Sequence, residues 1–261
     1  REAIRAIIRQ SPTLFLEDLN DIIDNLQTQI RSRGKAGLVV IIDSLDRIQP
    51  NRAEDGSSTH SRIFVDHAPQ LNAPRCHMVF TVPISLAYDV NLGTHYTLDP
   101  VVQPMVRVRE DDGRECTGAV DAMVDAVRKR IAVDELFEDP EDVRTLCLFS
   151  GGHIRHLMQL LTKASGYADE SFTTESTLKA RRSLTRDFDR LVRDADLPRL
   201  VRVHDEKRLP TDGDFAFLPY HLLVLEYQNG ERWADVHPAV QATRKFRDAW
   251  DDRESPLADG T

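Results

Sequence analysis

The stretch that most constrains this chain is GLVVIIDSLDRIQ, Gly37–Gln49. Five apolar residues, Leu38–Ile42, run without interruption into Asp43, and Asp46 follows three residues later. An apolar run that does not alternate with polar residues is typical of a strand in a parallel sheet that helices cover on both faces. We therefore expect a strand that is buried on both faces and ends at a carboxylate.

Helical and strand patterns alternate around this run. The segment FLEDLNDIIDNLQTQI places its apolar residues at three- and four-residue spacing, which predicts an amphipathic helix. SRIFVDHAPQLN predicts a short helix, a second buried strand is predicted over about His77–Val82, and MVRVRE predicts a third strand. Because a crossover between parallel strands needs a dozen residues or more, we expect the first two strands to be adjacent and parallel. This order predicts an α/β fold.

The remainder of the chain has a different character. From Gly118 to about Ala168 the pattern is helical, a further helix starts near Thr174, and Asn229-Gly230 predicts the turn of a β-hairpin. The predicted domains are an α/β part over residues 1–115, a helical part over 116–170, a small C-terminal domain over 171–250 and a disordered tail over 251–261.

The composition narrows the class of protein. The chain has 261 residues and a net charge of −9, which gives no overall attraction to nucleic acid or to an acidic membrane. No apolar run approaches the ~20 residues that span a bilayer. The 3 cysteines are scattered, which argues against a disulfide framework and favours a reducing compartment. We expect a cytoplasmic protein without a membrane partner.

The two carboxylates after the first strand indicate metal and water chemistry. A residue at the carboxyl end of a parallel strand faces the crevice in which α/β sheets bind ligands. Mg²⁺ prefers oxygen ligands and is usually held by one or two protein carboxylates, waters and substrate phosphates. Asp43 is therefore predicted to hold Mg²⁺ through its water shell, and Asp46 to orient or deprotonate an attacking water. In the alternative interpretation, Asp43 caps the next turn and Asp46 pairs with Arg47.

Three segments resemble one known family. LVVIIDSLD resembles the Walker B segment of P-loop NTPases in the AAA+ and STAND group, and MVFTVP resembles their sensor 1 strand. SGGHIRHLMQLL resembles the sensor 2 helix of their lid. The resemblance implies that Thr81 senses the γ-phosphate beside Asp43, and that Arg155 reaches over the phosphates of a nucleotide held near Gly151 and Gly152. The alternatives are a strand-end hydroxyl that is simply satisfied for Thr81, and a surface salt bridge for Arg155.

The resemblance covers about residues 15–165 and implies a larger architecture. It implies a partial parallel-sheet NTPase core over residues 1–115, a helical lid over 116–170 and a winged-helix-like domain over 171–250. It also implies ATP and Mg²⁺ as cofactors, and a nucleotide-driven conformational switch that works as a homo-oligomer or with a protein partner.

One element of the family is missing from the sequence. No G-x-x-x-x-G-K-[ST] phosphate loop occurs anywhere in the chain. Either the loop belongs to an N-terminal remainder of the same protein, which is then a partner of this chain, or the loop has been lost. We favour the first explanation; the second would make the chain a non-catalytic scaffold with an NTPase fold.

A basic cluster raises a further alternative. LKARRSLTR carries Lys179, Arg181, Arg182 and Arg186 within two helical turns, and such a cluster could neutralise DNA phosphates. Several aspartates follow at once, so a solvated helix face or a contact to a neighbouring domain is favoured over DNA. A DNA-associated AAA+ ATPase that grips duplex with its winged helix remains the alternative function.

Overall fold

The structure, a computed structural model, describes residues 11–49, 51, 58–86, 90–210 and 215–253. The chain divides into two compact units, residues 1–101 and 102–261, and each is described by itself. The described residues combine α-helices with two small β-sheets, one parallel and one antiparallel, which confirms a mixed α and β fold. No described helix has the length and apolar character needed to cross a membrane.

A parallel pair of strands forms the sheet of the first unit. Helix α1, Pro12–Ser32, precedes strand β1, Val39–Ile42, and strand β2 follows at His77–Phe80. The strands pair in parallel, with Val39 opposite His77 and Ile42 opposite Phe80. The predicted adjacent and parallel arrangement is therefore confirmed.

The segment between the two strands is helical in short pieces, as the sequence predicts. A 3₁₀ turn at Leu45–Arg47 follows β1. Helix α2, Thr59–Ser61, continues into a π-helical turn at Arg62–Asp66, and helix α3 spans Ala68–Asn72. A 3₁₀ turn at Leu92–Thr94 comes after β2. Phe64, Leu86 and Leu92 are buried together and form the apolar core of this unit.

Strands β1 and β2 are not buried on both faces, which corrects the expectation from the sequence. The exposed fractions are 54% for Val39, 67% for Ile41 and 48% for Val79. Helix α1 buries one apolar residue, Ile23, and leaves Phe15, Ile22 and Leu26 of its predicted apolar face exposed. An apolar run shows that a strand tolerates burial on two faces, whereas burial itself requires covering layers, and the described residues do not supply them.

The second unit is mainly helical. Its helices α4 to α9 are Thr117–Arg128, Val133–Leu136, Glu141–Phe149, Ile154–Ser165, Thr174–Leu191 and Leu197–Glu206. Helix α10, Phe217–Tyr220, leads into strand β3, Val224–Asn229, and strand β4, Glu231–Val236; helices α11, Pro238–Gln241, and α12, Arg244–Asp252, follow. Strands β3 and β4 pair antiparallel, which confirms the predicted hairpin. Helices α4, α6, α7 and α8 confirm the helical patterns predicted from the sequence.

One apolar core runs through the second unit. Leu157 and Leu160 of α7 belong to the same buried cluster as Leu184 and Phe188 of α8. The core is thus continuous across residues 170 and 171, where the sequence predicts a domain boundary. That boundary stays a prediction, as does the predicted division of the chain into domains. Residues 254–261 of the predicted tail lie outside the described residues.

The third predicted strand, MVRVRE, does not form, which corrects the expectation. The backbone N–H of Met105 donates to the carbonyl of Glu226 over 2.9 Å, and the N–H of Val106 donates to the carbonyl of Gly152 over 3.3 Å. Arg109 and Glu115 form an isolated bridge. The segment therefore divides its backbone hydrogen bonds between the hairpin and the loop before α7, so it joins no regular ladder.

Candidate functional site

The carboxyl ends of β1 and β2 lie together in the first unit. The backbone N–H of Thr81 donates to the carbonyl of Ile42 over 3.2 Å. The hydroxyl of Thr81 accepts a hydrogen bond from the N–H of Leu45 over 3.0 Å. Thr81 is therefore bonded to the turn that carries Asp43 and Asp46. This bond also fits the alternative of a satisfied hydroxyl, so the role of Thr81 in sensing phosphate stays a prediction.

Asp43 is exposed at this strand end. Its Oδ1 accepts a hydrogen bond from the N–H of Ser44 over 2.6 Å, and no described residue bonds its second oxygen. Ser44 has a φ of 66°, a left-handed conformation that is uncommon for a residue other than glycine. The turn thus orients the carboxylate while leaving one oxygen accessible, a detail that no feature of the sequence indicated.

The residues around Asp43 fit a hydrated Mg²⁺ and not a closed protein cage. The described residues contain no group of three or more His, Cys, Asp or Glu side chains that could hold a metal. Because Mg²⁺ usually keeps several waters and binds one or two carboxylates, a single accessible carboxylate is compatible with it. Such an ion would take its other ligands from water and from a phosphate-bearing substrate.

Asp46 lies within the 3₁₀ turn and is half-buried. The ion pair with Arg47 that the alternative interpretation requires is not formed in the described part of the chain. The carboxylate is therefore available to a ligand or a water, and its role as a base stays a prediction.

Gly151 and Gly152 belong to the second unit, and packing accounts for both. Their φ angles are 61° and 77°, which favour glycine. A Cβ on Gly152 would lie 1.8 Å from the carbonyl oxygen of Val106. Their backbone N–H groups already donate, Gly151 to the carbonyl of Leu148 over 3.1 Å and Gly152 to Oγ of Ser150 over 3.2 Å. The predicted contact of these glycines with a nucleotide stays a prediction.

Arg155 lies in the first turn of α7 and is exposed. Among the described residues it forms no ion pair, so the surface salt bridge of the alternative interpretation is not seen. A cation is disfavoured at the positive end of a helix dipole. Because the guanidinium is exposed and has no ion pair among the described residues, it can contact an anion. The contact with nucleotide phosphates that the resemblance implies stays a prediction.

His153 and His156, which flank Arg155, pack against each other, and His237 lies beside His156. Nδ1 of His156 and Nε2 of His237 are 2.9 Å apart, and the N–H of Ala239 donates to Nδ1 of His237 over 3.0 Å. Because Nδ1 of His237 accepts this hydrogen bond, the proton of the neutral His237 ring is on Nε2, which donates to Nδ1 of His156. Burial lowers the pKa of His156 to about 3 and that of His237 well below its usual value. The pair is therefore neutral and structural at physiological pH.

The second unit also holds a cavity of about 540 Å³ behind the hairpin. Tyr227 and Trp233 line it with their rings stacked 4.4 Å apart. Lys207 and His204 contact Asp235 on the same side. Arg181 reaches the cavity from α8, although the sequence alone did not distinguish it from its basic neighbours.

Comparison with protein-family models, with curated proteins and with solved structures found no match to this chain.

Proposed function

We propose that this chain is the C-terminal part of an AAA+/STAND-like ATPase, which acts as a nucleotide-driven conformational switch. The observation that supports the proposal is the parallel pairing of β1 and β2, with Asp43 and Thr81 at the same end and the hydroxyl of Thr81 bonded to the intervening turn. Ligands of parallel α/β sheets bind outside the carboxyl ends of the strands. The carboxylates and the hydroxyl are therefore located where a nucleotide phosphate and its cation would be expected.

In this proposal each residue has its own role. Asp43 holds the water shell of Mg²⁺, which supplies charge neutralisation at the phosphates. Asp46 orients the attacking water and accepts its proton, and Thr81 donates its hydroxyl hydrogen to the γ-phosphate. Arg155, in the second unit, is proposed to contact a phosphate group through its exposed guanidinium.

The exposed strands support a protein partner for the first unit. Val39 and Ile41 of β1 and Val79 of β2 each expose about half of their surface or more. Contiguous exposed apolar surface typically marks a contact with another protein segment. We propose that the N-terminal remainder of the NTPase core covers these strands and supplies the phosphate loop. A homo-oligomer is the alternative way to cover them.

The two alternative functions have their own support. A DNA-associated ATPase is supported by a groove of the second unit that Lys179, Arg181, Arg182 and Arg186 line. A non-catalytic scaffold is supported by the occupied N–H groups of Gly151 and Gly152. Binding of duplex DNA measured against salt concentration tests the first alternative, because phosphate contacts make affinity fall steeply with salt.

Paramagnetic broadening tests the Mg²⁺ assignment directly. Mn²⁺, which shares the oxygen preference of Mg²⁺, is titrated into the chain without nucleotide, because the chain is expected to bind ATP weakly or not at all. The amide resonances of Ser44, Leu45 and Thr81 are expected to broaden first, because they surround the carboxylate of Asp43. Asp43→Asn is expected to abolish this effect, since the amide keeps the shape and removes the charge.

The matched control is Asp21→Asn on the exposed face of α1, which removes the same charge from the same unit. Broadening at the strand end must persist in this variant. Equal broadening around Asp43 and around other surface carboxylates, unchanged in Asp43→Asn, would reject the metal site and remove the main support for the ATPase.

A further inference from the structure

Arg181 of α8 is a half-buried arginine without a partner among the described residues. Its Nε is fully buried and makes no hydrogen bond, and its guanidinium carbon lies 4.7 Å from the ring centre of Phe149. By contrast, Arg144 pairs with Glu115 and with Asp121. A buried polar group without a partner is rare in proteins and calls for an explanation.

The electrostatic environment of Arg181 is unfavourable to its charge. Burial lowers the pKa of Arg181, and the nearby Asp142 offsets this only in part. The carboxylate of Asp142 accepts a hydrogen bond from the hydroxyl of Thr174 over 2.9 Å, and it forms no ion pair with Arg181 in the described part of the chain. A desolvated cation gains strongly from an anion that supplies hydrogen-bond acceptors.

The surroundings indicate the side from which such an anion approaches. Arg181 lines a groove of about 590 Å³, here called the basic groove, together with Lys179, Arg182 and Arg186. None of the residues that line the basic groove is acidic, and Phe149 and Tyr167 form apolar walls. Lys179 pairs with Glu175 over 2.8 Å, whereas the three arginines have no ion pair among the described residues.

The cavity behind the hairpin, which Arg181 also reaches, is less suited to an anion. Asp111, Asp112 and Asp235 line it together with the basic residues. It does contain a second unused donor, the indole N–H of Trp233, which is buried and has no hydrogen-bond partner among the described residues. The acidic lining of the cavity favours entry of an anion from the basic groove.

We propose that the basic groove binds an oxyanion, a phosphate or a carboxylate, with Arg181 as its anchor. The planar guanidinium matches the geometry of both groups and forms paired hydrogen bonds with them. Arg182 and Arg186 add favourable charge at the rim, and the aromatic walls accommodate the organic part of the ligand. The site lies in the second unit and does not depend on the proposed nucleotide chemistry at Asp43.

The test follows the Nε–H resonance of Arg181 in the full chain. Inorganic phosphate and acetate are titrated separately at constant ionic strength, with chloride as the balancing salt. We expect a saturable shift of this resonance with at least one of the two anions. A stronger response to phosphate indicates a phosphorylated ligand, and a stronger response to acetate indicates a carboxylate ligand; both outcomes support the site.

Two variants and a control separate a specific site from general charge. Arg181→Gln is expected to weaken binding by about tenfold or more, because charge-assisted hydrogen bonds are lost. Arg181→Lys keeps the charge but cannot form the paired hydrogen bonds of the planar guanidinium, so a smaller loss of affinity than in Arg181→Gln is expected. Arg190→Gln, on the same helix but outside the basic groove, removes an equal charge and is expected to change affinity less than about twofold.

The proposal fails if neither anion produces a saturable shift at Arg181. It also fails if Arg181→Gln and Arg190→Gln weaken binding equally, since the effect would then be diffuse attraction. If Arg181→Gln does not fold, the titration of the unaltered chain and of Arg181→Lys still decides the matter.

Discussion

Replacing Gly152 by alanine is expected to destabilise the second unit strongly. The residue has a φ of 77°, and a Cβ there would lie 1.8 Å from the carbonyl oxygen of Val106. That oxygen belongs to backbone, which cannot rotate away as a flexible side chain can. The contact must therefore be relieved by moving the segment around Val106, whose N–H also bonds the carbonyl of Gly152.

The magnitude follows from two separate costs. A left-handed backbone costs a non-glycine residue roughly 1–2 kcal/mol. Overpacking in a close contact costs typically about 1–3 kcal/mol more. Gly152→Ala is therefore expected to lower the free energy of unfolding by about 2–5 kcal/mol. A loss of 3 kcal/mol lowers the melting temperature by about 6–12 °C in a domain of this size.

Gly113→Ala is the matched control. Gly113 has a φ of 85°, and a Cβ at this position would meet nothing within 4 Å. The control therefore carries the backbone cost of about 1–2 kcal/mol without the steric one. The difference between the two variants isolates the close approach of Val106 to Gly152.

Urea unfolding followed by tryptophan fluorescence measures this difference. Both tryptophans, Trp233 and Trp250, lie in the second unit, so the signal reports that unit. Equal destabilisation by Gly152→Ala and Gly113→Ala would refute the reasoning, because it would show that the segment around Val106 moves aside without cost.

Three further predictions concern pH and nucleotide chemistry. The folded pKa of His156 and of His237 lies below the unfolded value of 6.5, so the unfolded chain binds more protons and stability is lost as pH falls below about 6.5. Urea unfolding at pH 7 and pH 5 is expected to differ by about 2 kcal/mol for each of the two histidines, and a flat profile would contradict their burial. Because the chain contains no phosphate loop, we expect weak or no ATP binding by calorimetry and no turnover; micromolar affinity would overturn this expectation. In the full-length ATPase that we propose, Asp43→Ala is expected to abolish hydrolysis and weaken ATP·Mg²⁺ binding. Asp46→Asn should spare binding and slow hydrolysis by ~10²–10⁴, and Arg155→Ala should uncouple the lid with residual hydrolysis. Steady-state rates, nucleotide affinities and melting temperatures of the three variants test these roles, and parent-like hydrolysis in all three is the contradicting outcome.

The strand end was predictable from local pattern, and its environment was not. Five apolar residues followed by Asp43 predict a strand and a carboxylate at its end, and the helical segment that follows predicts a parallel crossover to β2. The left-handed Ser44 and its bond to Asp43 depend on how the turn packs against Thr81. Sequence pattern carries no comparable signal for a single residue in an unusual conformation.

In the second unit too, the sequence pattern did not predict the tertiary contacts of individual glycines, histidines and arginines. The resemblance implied a nucleotide near Gly151 and Gly152, and only the folded structure shows that Val106 approaches Gly152 closely. His237 lies far along the chain from His156, and only folding brings the two rings together. Arg181 is one of several basic residues in its helix, and only the tertiary structure shows that it is half-buried and that its Nε has no hydrogen-bond partner among the described residues.

The sequence by itself predicted the strands β1 to β4, the longer helices, the turn of the hairpin and the parallel pairing of β1 with β2. These features depend on the periodicity of apolar residues and on glycine-containing turns, which act over a few neighbouring residues. The tertiary structure decided that Val39 and Ile41 are exposed, that MVRVRE forms no strand, and that the buried Nε of Arg181 has no hydrogen-bond partner in the part of the chain that the structure describes. Burial and pairing depend on which distant segments come into contact, and local periodicity does not specify those contacts.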